Sequence, residues 1–314
     1  MAGTGRARTR EGVGVVATQA ELDFTYSLID KLFRLSLGEM ADFSGAKFDG
    51  DFSLTLEQAQ RAKHEFVACE VGLAPGSRVI DLGCGWGPFL NFVRGRGARG
   101  LGLTLSQRQY EACRRNGLDV RLMDCRAVAP SAFGTFDAAV SLGAFEHFCS
   151  PAEYAAGRQE AIYATFFRSV ADLLPASGRL FLQTMVFGRR MIPPERIDIH
   201  APPDSDAWAL GLLRAQFPGS WLPFGRDQLE RTAAPVFRLV KAESGRLDYI
   251  ETIRRWRQRF AAFSVPKLVV KLTLAPRYFF SRSFRDAFAS GVSANSICFE
   301  RELLDHWRLV FEKA

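Results

Sequence analysis

The chain has 314 residues, of which 47% are hydrophobic, with a formal net charge of +7 and a pI near 9.3. That is enough for one large domain, or a domain with a sizeable cap. No apolar run approaches the roughly 20 residues of a membrane-spanning helix, and the basic balance asks for an acidic partner such as nucleic acid, anionic lipid or a phosphorylated small substrate.

Residues 1–12 are small and polar, with Arg6, Arg8 and Arg10 and no apolar core. They fit neither a signal peptide nor a spanning helix, and residues 1–18 read as a disordered basic tail. From Gln19 to Leu37 apolar residues recur at helical spacing (Leu22, Tyr26, Ile29, Leu32, Phe33), so residues 19–72 are expected to form an N-terminal helical lid. Within it Thr55-Leu-Glu-Gln58 spells a capping box for a helix running to about Val71. Pro75-Gly76 breaks that helix and leads into the first strand.

The stretch that organises the chain comes next: Val79-Ile-Asp-Leu-Gly-Cys-Gly-Trp-Gly87. A short apolar run carries an acid near its end, glycines follow at alternate positions, and Phe89, Leu90, Phe92 and Val93 continue at helical spacing. This reads as a buried strand, a tight turn and the start of a helix. Glycine allows the sharp turn and lets a ligand lie against bare backbone. Asp81 stands at the carboxyl end of the strand, where open α/β sheets bind ligands.

Further strands are predicted at 100–105, 120–123, 136–142 and 179–184, with helices at 107–116, capped by Ser106, and at 161–174. Strands and helices alternate through residues 73–185. The expected fold is α/β, a Rossmann-like, doubly wound and mostly parallel sheet. Residues 186–290, with many prolines and with Trp208 and Trp221, read as a helical substrate-binding cap that contains a helix at 248–263. Residues 291–314 are expected to return to the sheet edge.

Between Glu251 and Arg285 nine basic residues face one acid, interleaved with Phe260, Phe263, Leu268, Val269 and Leu272. A solvated basic helix face and contact with an anionic membrane both stay open. The six cysteines are scattered and form no C-x-x-C pair, which fits free thiols in a reducing cytosol better than disulfides or zinc, and no metal is expected. Glu146 follows the fourth strand, where a carboxylate would face the cleft. Such a group stabilises a developing cation or takes its proton, and the plainer reading is an acid at a helix start.

The glycine turn has the form D-x-G-x-G-x-G rather than the G-x-G-x-x-G of dinucleotide-binding folds, and it resembles the S-adenosylmethionine loop of class I methyltransferases. Other stretches keep step with it. Gly102-Leu-Thr-Leu-Ser with Gln109, Ser141-Leu-Gly-Ala-Phe-Glu-His147, Phe217-Pro-Gly with Leu222-Pro223, and Tyr249 with Thr252 and Trp256 follow in a shared order. Together, from about Tyr26 to Phe311, they resemble the cyclopropane fatty acid and mycolic acid cyclopropane synthase family.

The resemblance implies a C-methyltransferase that adds the methyl group of S-adenosylmethionine to a carbon–carbon double bond. Asp81, Gly83, Gly85 and Gly87 would line the methionine part of the cofactor. Thr104, Leu105 and Gln109 would meet its ribose and adenine, Asp124 would face the adenine, and Ser44 and Gly143 would close over it. Glu146 and Tyr249 would be catalytic, and Gln183, Trp221 and Asn295 would line the substrate pocket. The family's bicarbonate site has cysteine, histidine and cysteine where this chain has Gly45, Gln183 and Asn295, which puts the anion pocket in doubt. The implied acceptor is a lipid, either an unsaturated acyl chain or an isoprenoid, and the implied place is the cytoplasm or the inner membrane face. Two other readings remain: N- or O-methylation of a small natural product, and a non-catalytic lipid-binding relative. A nucleic-acid substrate is not expected, because no N/D-P-P-Y-type motif is present to hold a flipped base.

Overall fold

The computed structural model describes residues 35–38, 40–280 and 294–314; the basic tail and first helices expected at the N-terminus lie outside them. The capping box forms as its sequence predicts. Thr55 Oγ1 accepts from the Gln58 N–H, and Gln58 Oε1 accepts from the Thr55 N–H, opening α1 (Leu56–Glu70). The organising stretch becomes β1 (Arg78–Leu82), a glycine turn and α2 (Pro88–Gly95). Then come β2 (Arg99–Thr104), α3 (Gln107–Arg115, capped by Ser106), β3 (Asp119–Leu122), β4 (Ala138–Leu142), α4 (Gln159–Leu173) and β5 (Arg179–Phe187).

These five strands are parallel, in the order β3-β2-β1-β4-β5. The chain winds outward from β1 on one side and resumes at β4 on the other, so a crevice opens above the carboxyl ends of β1 and β4. Helices cover both faces. The larger core gathers Phe145, Tyr163, Phe166 and Phe167 under β4 and β5, and a second packs α2 on β1 through Val79, Phe89 and Val93.

Beyond β5 come α5 (Asp206–Gln216), α6 (Gly225–Ala233), β6 (Phe237–Ser244), α7 (Arg246–Ala261), α8 (Val265–Phe280) and β7 (Leu304–Lys313). Here the structure departs from the sequence reading. The C-terminal segment does not lie at the sheet edge: β7 inserts antiparallel between β5 and β6, and β6 forms the edge. The strand β6 therefore belongs to the sheet, although it falls within the span read as a cap. The burial of the two strands explains the placement. Leu309, Val310 and Phe311 are all buried, as an interior strand requires, whereas β6 carries the charges Arg238, Lys241 and Glu243 suited to an edge.

Arg308 of β7 locks the late part of the chain onto the early part. It is 1% exposed, and it donates to Ala46 O at 2.7 Å, Asp248 Oδ2 at 2.8 Å and Glu243 Oε1 at 2.8 Å. Removing one partner of a buried ion pair costs about 3–5 kcal/mol, because the other charge stays buried. Arg308→Met is expected to lose that much stability in urea denaturation; a loss within 1 kcal/mol would show that the pair contributes little.

Candidate functional site

The crevice begins at Asp81, which is buried at the end of β1. Gly83, Gly85 and Gly87 follow, all with left-handed φ of +96°, +55° and +78°. A Cβ at Gly83 would overlap the Cβ of Ala144, just past β4, so only glycine lets the two loops touch. Gly87 has a different task. Its α-carbon faces Leu118 and Cys113, where a Cβ would come within 2.5 Å and 3.0 Å, so it packs the start of α2 against its neighbours.

A cavity of about 320 Å³ lies over this turn, lined by Ser44, Asp81, Gly83, Gly85, Thr104, Leu105, Gln109, Asp124 and Gly143. Nine of the ten residues expected around a cofactor therefore share one space, and Gly87 stands outside its lining. Thr104 Oγ1 donates to Gln109 Oε1 at 2.7 Å. Asp124 caps a short turn, and both of its carboxylate oxygens already accept from Arg126, Oδ1 from the backbone N–H and Oδ2 from the guanidinium. A second cavity of about 500 Å³ opens on the outer side of the turn, between Arg61, Phe92 and Arg96, and shares Trp86 and Pro88 with the first.

The electrostatics are uneven. Asp81 Oδ1 is buried without a partner. Burial, then the nearby charge of Asp42, pushes its carboxyl up to about 8. Asp42, on the same cavity wall, behaves oppositely. Burial alone would raise its pKa, but Lys63 and His64 hold it well below the usual carboxylate range. Lys63 Nζ donates to Asp42 Oδ2, Ser44 Oγ and Gln60 Oε1, each at 2.6 Å. The sequence reading missed this cluster. Its signal was present in α1, where Gln60, Lys63 and His64 share a face with Ala59 and Val67.

Behind the cavity lies a second group. Glu146 sits in a turn after β4 and is 3% exposed. Its Oε1 accepts from the Met185 N–H at 2.8 Å, and its Oε2 is buried without a partner. Burial pushes its pKa up to about 7, and the Met185 N–H pulls partly back. Tyr249, on α7, is buried near enough to feel the Glu146 charge, and its hydroxyl pKa is raised, chiefly by burial. Gln183 on β5 is fully buried; Nε2 donates to Gly45 O at 3.0 Å while Oε1 is left unpaired. Asn295 Oδ1 is also buried without a partner.

Trp221, expected in the substrate pocket, packs in the apolar core, stacked on Tyr154 at 4.6 Å. At Gly45 the room a side chain would need is filled: a Cβ would lie 2.5 Å from Tyr249 Cδ2 and 2.9 Å from His306 Cε1. His306 was not singled out in the sequence, because nothing near it in the chain marks it. It is buried on β7, its ring stacked on Tyr249 at 4.7 Å. His147 bonds Ser220 Oγ at 2.6 Å.

The site thus offers a glycine-walled cavity beside Asp81, whose Oδ1 is buried without a partner, and behind it a buried cluster around Glu146, whose Oε2 is likewise unpaired. Comparisons with known proteins identify the family. The family model "Mycolic acid cyclopropane synthetase" matches residues 16–273. Cyclopropane mycolic acid synthase 3 of Mycobacterium tuberculosis is 30% identical over 236 residues, 74% of this chain and 78% of its own. Cyclopropane mycolic acid synthase 2 of Mycobacterium leprae is 32% identical over 239 residues, 74% of this chain and 76% of its own. The crystal structure of mycolic acid cyclopropane synthase CmaA1, complexed with SAH and CTAB, superposes with a TM-score of 0.72 at 26% identity, covering 92% of this chain and 95% of that one.

Proposed function

The chain belongs to the mycolic acid cyclopropane synthetase family of S-adenosylmethionine-dependent methyltransferases, and we propose that it methylates a carbon–carbon double bond of a lipid-like acceptor. The cavity suits the cofactor: three left-handed glycines leave backbone bare, and Asp81 presents a buried oxygen that lacks a partner. When bound, S-adenosylmethionine supplies an electrophilic methyl group on a sulfonium. In this reading Asp81 meets the positive methionine end, Gly83 and Gly85 lie against it, and Gly87 keeps α2 in place. Thr104, Leu105, Gln109 and Asp124 frame the nucleoside side, with Ser44 and Gly143 as the wall toward the chamber.

The observation that carries the reading is Glu146. An alkene that accepts a methyl group becomes a carbocation, and a dry carboxylate with a free oxygen stabilises positive charge far better than water does. The residues at Gly45, Gln183 and Asn295 depart from the family's bicarbonate set, and the side-chain space at Gly45 is taken by two rings. The product is accordingly a methylated or methylene-bearing chain rather than a cyclopropane made with bicarbonate. An unsaturated acyl chain and an isoprenoid both satisfy the chemistry.

The deciding experiment is incubation with labelled methyl donor and fractionated lipids, followed by mass spectrometry. Label on a former alkene carbon is expected; label on nitrogen or oxygen, or none, would sink the reading.

Cofactor binding should depend on pH. A carboxyl raised to about 8 is neutral below that pH and ionised above it, and a cation binds the ionised form. Affinity is therefore expected to rise up to roughly tenfold per pH unit between 6 and 8, and Asp81→Asn to flatten the curve. Calorimetry across that range checks it, and a flat wild-type profile would count against contact with Asp81.

The acceptor also has a route from a membrane in this reading. On α8, Val265, Leu268, Val269 and Leu272 are exposed beside Lys271, with Phe263 just before the helix. Among the described residues no helix is long and apolar enough to cross a membrane. The chain is expected to sediment with anionic liposomes, and Leu272→Glu to weaken that roughly tenfold; equal sedimentation with neutral liposomes would argue against an electrostatic contribution.

A further inference from the structure

The buried cluster around Glu146 leaves several polar atoms without partners. Glu146 Oε2, Gln183 Oε1 and His306 Nδ1 are all buried and unbonded among the described residues. Folded proteins rarely leave such atoms alone, and each one marks a place where something absent could complete it. The three residues are neighbours, although His306 Nδ1 itself lies against Gly245, where a Cβ would come within 2.6 Å of it. His306 lies opposite Met185 in the β5–β7 register, and the Met185 N–H is the one that holds Glu146. Gln183 is bonded to Gly45 O, and the Cε1–Nε2 edge of His306 is turned toward the Gly45 α-carbon. Tyr249 stacks on the same imidazole.

We propose that His306 is a catalytic residue whose imidazole takes the proton that the acceptor loses after methyl transfer, in place of an external anion. The proposal rests on the alkene reading above. The acceptor's π electrons form the new carbon–carbon bond while the carbon–sulfur bond breaks, and that bond's electron pair leaves on sulfur. A neighbouring C–H of the resulting carbocation then breaks. Its electron pair closes a new double bond, its proton goes to Nε2, the imidazole nitrogen on the Gly45 side, and the imidazolium returns it to solvent before the next turnover.

The surroundings suit the task. Burial, then the charges of Arg308 and Lys63, keep the ring neutral, with a lone pair free. A carbocation gives up a proton so readily that even a weakened base suffices, and position decides the rate. Glycine at 45 is what lets the ring lean in: a Cβ there would sit 3.1 Å from Nε2. The histidine and first cysteine of the family's anion site are replaced at Gln183 and Gly45, and a histidine enters the chamber from the adjacent strand.

The test uses His306→Ala in full-length protein, in bicarbonate-depleted buffer, with substituted imidazoles of graded basicity added back. The expected result is a loss of turnover of roughly 10²–10⁴-fold with S-adenosylmethionine binding retained in calorimetry. Rescue should scale with the basicity of the added imidazole. Should the alanine variant not fold, His306→Asn, which keeps a polar planar group, is expected to show the same loss with cofactor binding kept. Turnover within threefold of wild type, rescue indifferent to basicity, or stimulation of the wild type by bicarbonate would each overturn the assignment. A wild type that methylates no alkene would instead overturn the reading on which it rests.

Discussion

Glu146→Gln is expected to lower turnover by roughly 10²–10³-fold while leaving cofactor binding unchanged. Stabilisation of charge in a dry site contributes about that much when one oriented group is removed. The substitution is nearly isosteric. The amide oxygen of glutamine can still accept from the Met185 N–H, which now bonds Oε1 at 2.8 Å, so the turn after β4 keeps its anchor. What disappears is the negative charge. The same variant should change the pH profile. Burial raises the Glu146 carboxyl to about 7, so it is neutral below that value, and wild-type turnover should climb as pH rises through it. Glutamine does not titrate, and the Glu146 contribution to the climb should vanish. A heteroatom acceptor forms no carbocation, so a glutamine variant that turns over within threefold of wild type would point to N- or O-methylation instead.

Gly83→Ala should be the most damaging small change in the cofactor cavity. The residue has φ +96°, and its added methyl would overlap the Cβ of Ala144. The conformational strain alone is about 1–3 kcal/mol. The overlap adds a displacement of the loop that carries Glu146 two residues later, so binding and chemistry both suffer. We expect the Kd for S-adenosylmethionine to rise at least about 100-fold, which corresponds to roughly 2.7 kcal/mol. Gly72→Ala is the control. Gly72 also has positive φ, +66°, but a Cβ there meets nothing within 4 Å. It should lose some stability and keep its cofactor affinity. Equal effects from the two substitutions would mean that strain, and not contact with Ala144, governs the loop.

What was legible in the sequence is local. The capping box at Thr55–Gln58, the cap at Ser106, the glycine turn and the five parallel strands depend on neighbours a few residues apart, and each was found where its pattern lies. The antiparallel end of the sheet was not legible. The strand β6 carries three charges in eight residues and reads as surface, and the interior place of β7 depends on pairing with a strand more than a hundred residues away. The site divides in the same way. The cavity lining came from contiguous motifs. Asp42 and His306 matter only because distant segments bring them beside Lys63, Asp81 and Tyr249, and no short-range pattern announces that; Lys63 shows only as a polar residue on the buried face of α1. Gly87 shows the converse: it belongs to the motif, yet its neighbours are Leu118 and Cys113.

Residues 42–46 form a thin partition. Asp42 and Ser44 line the cofactor cavity, while the carbonyl of Gly45 holds Gln183 on the other side. The partition is pinned from several directions: Gln60 bonds Ser44 O, Thr252 bonds the Ala46 N–H, and Arg308 bonds Ala46 O. The cofactor cavity and the buried cluster of Gln183 and Tyr249 are therefore separated by a single segment of five residues. On the reading proposed above, a shift of that segment on the cofactor side would carry the Gly45 carbonyl, and with it the amide it holds, on the other.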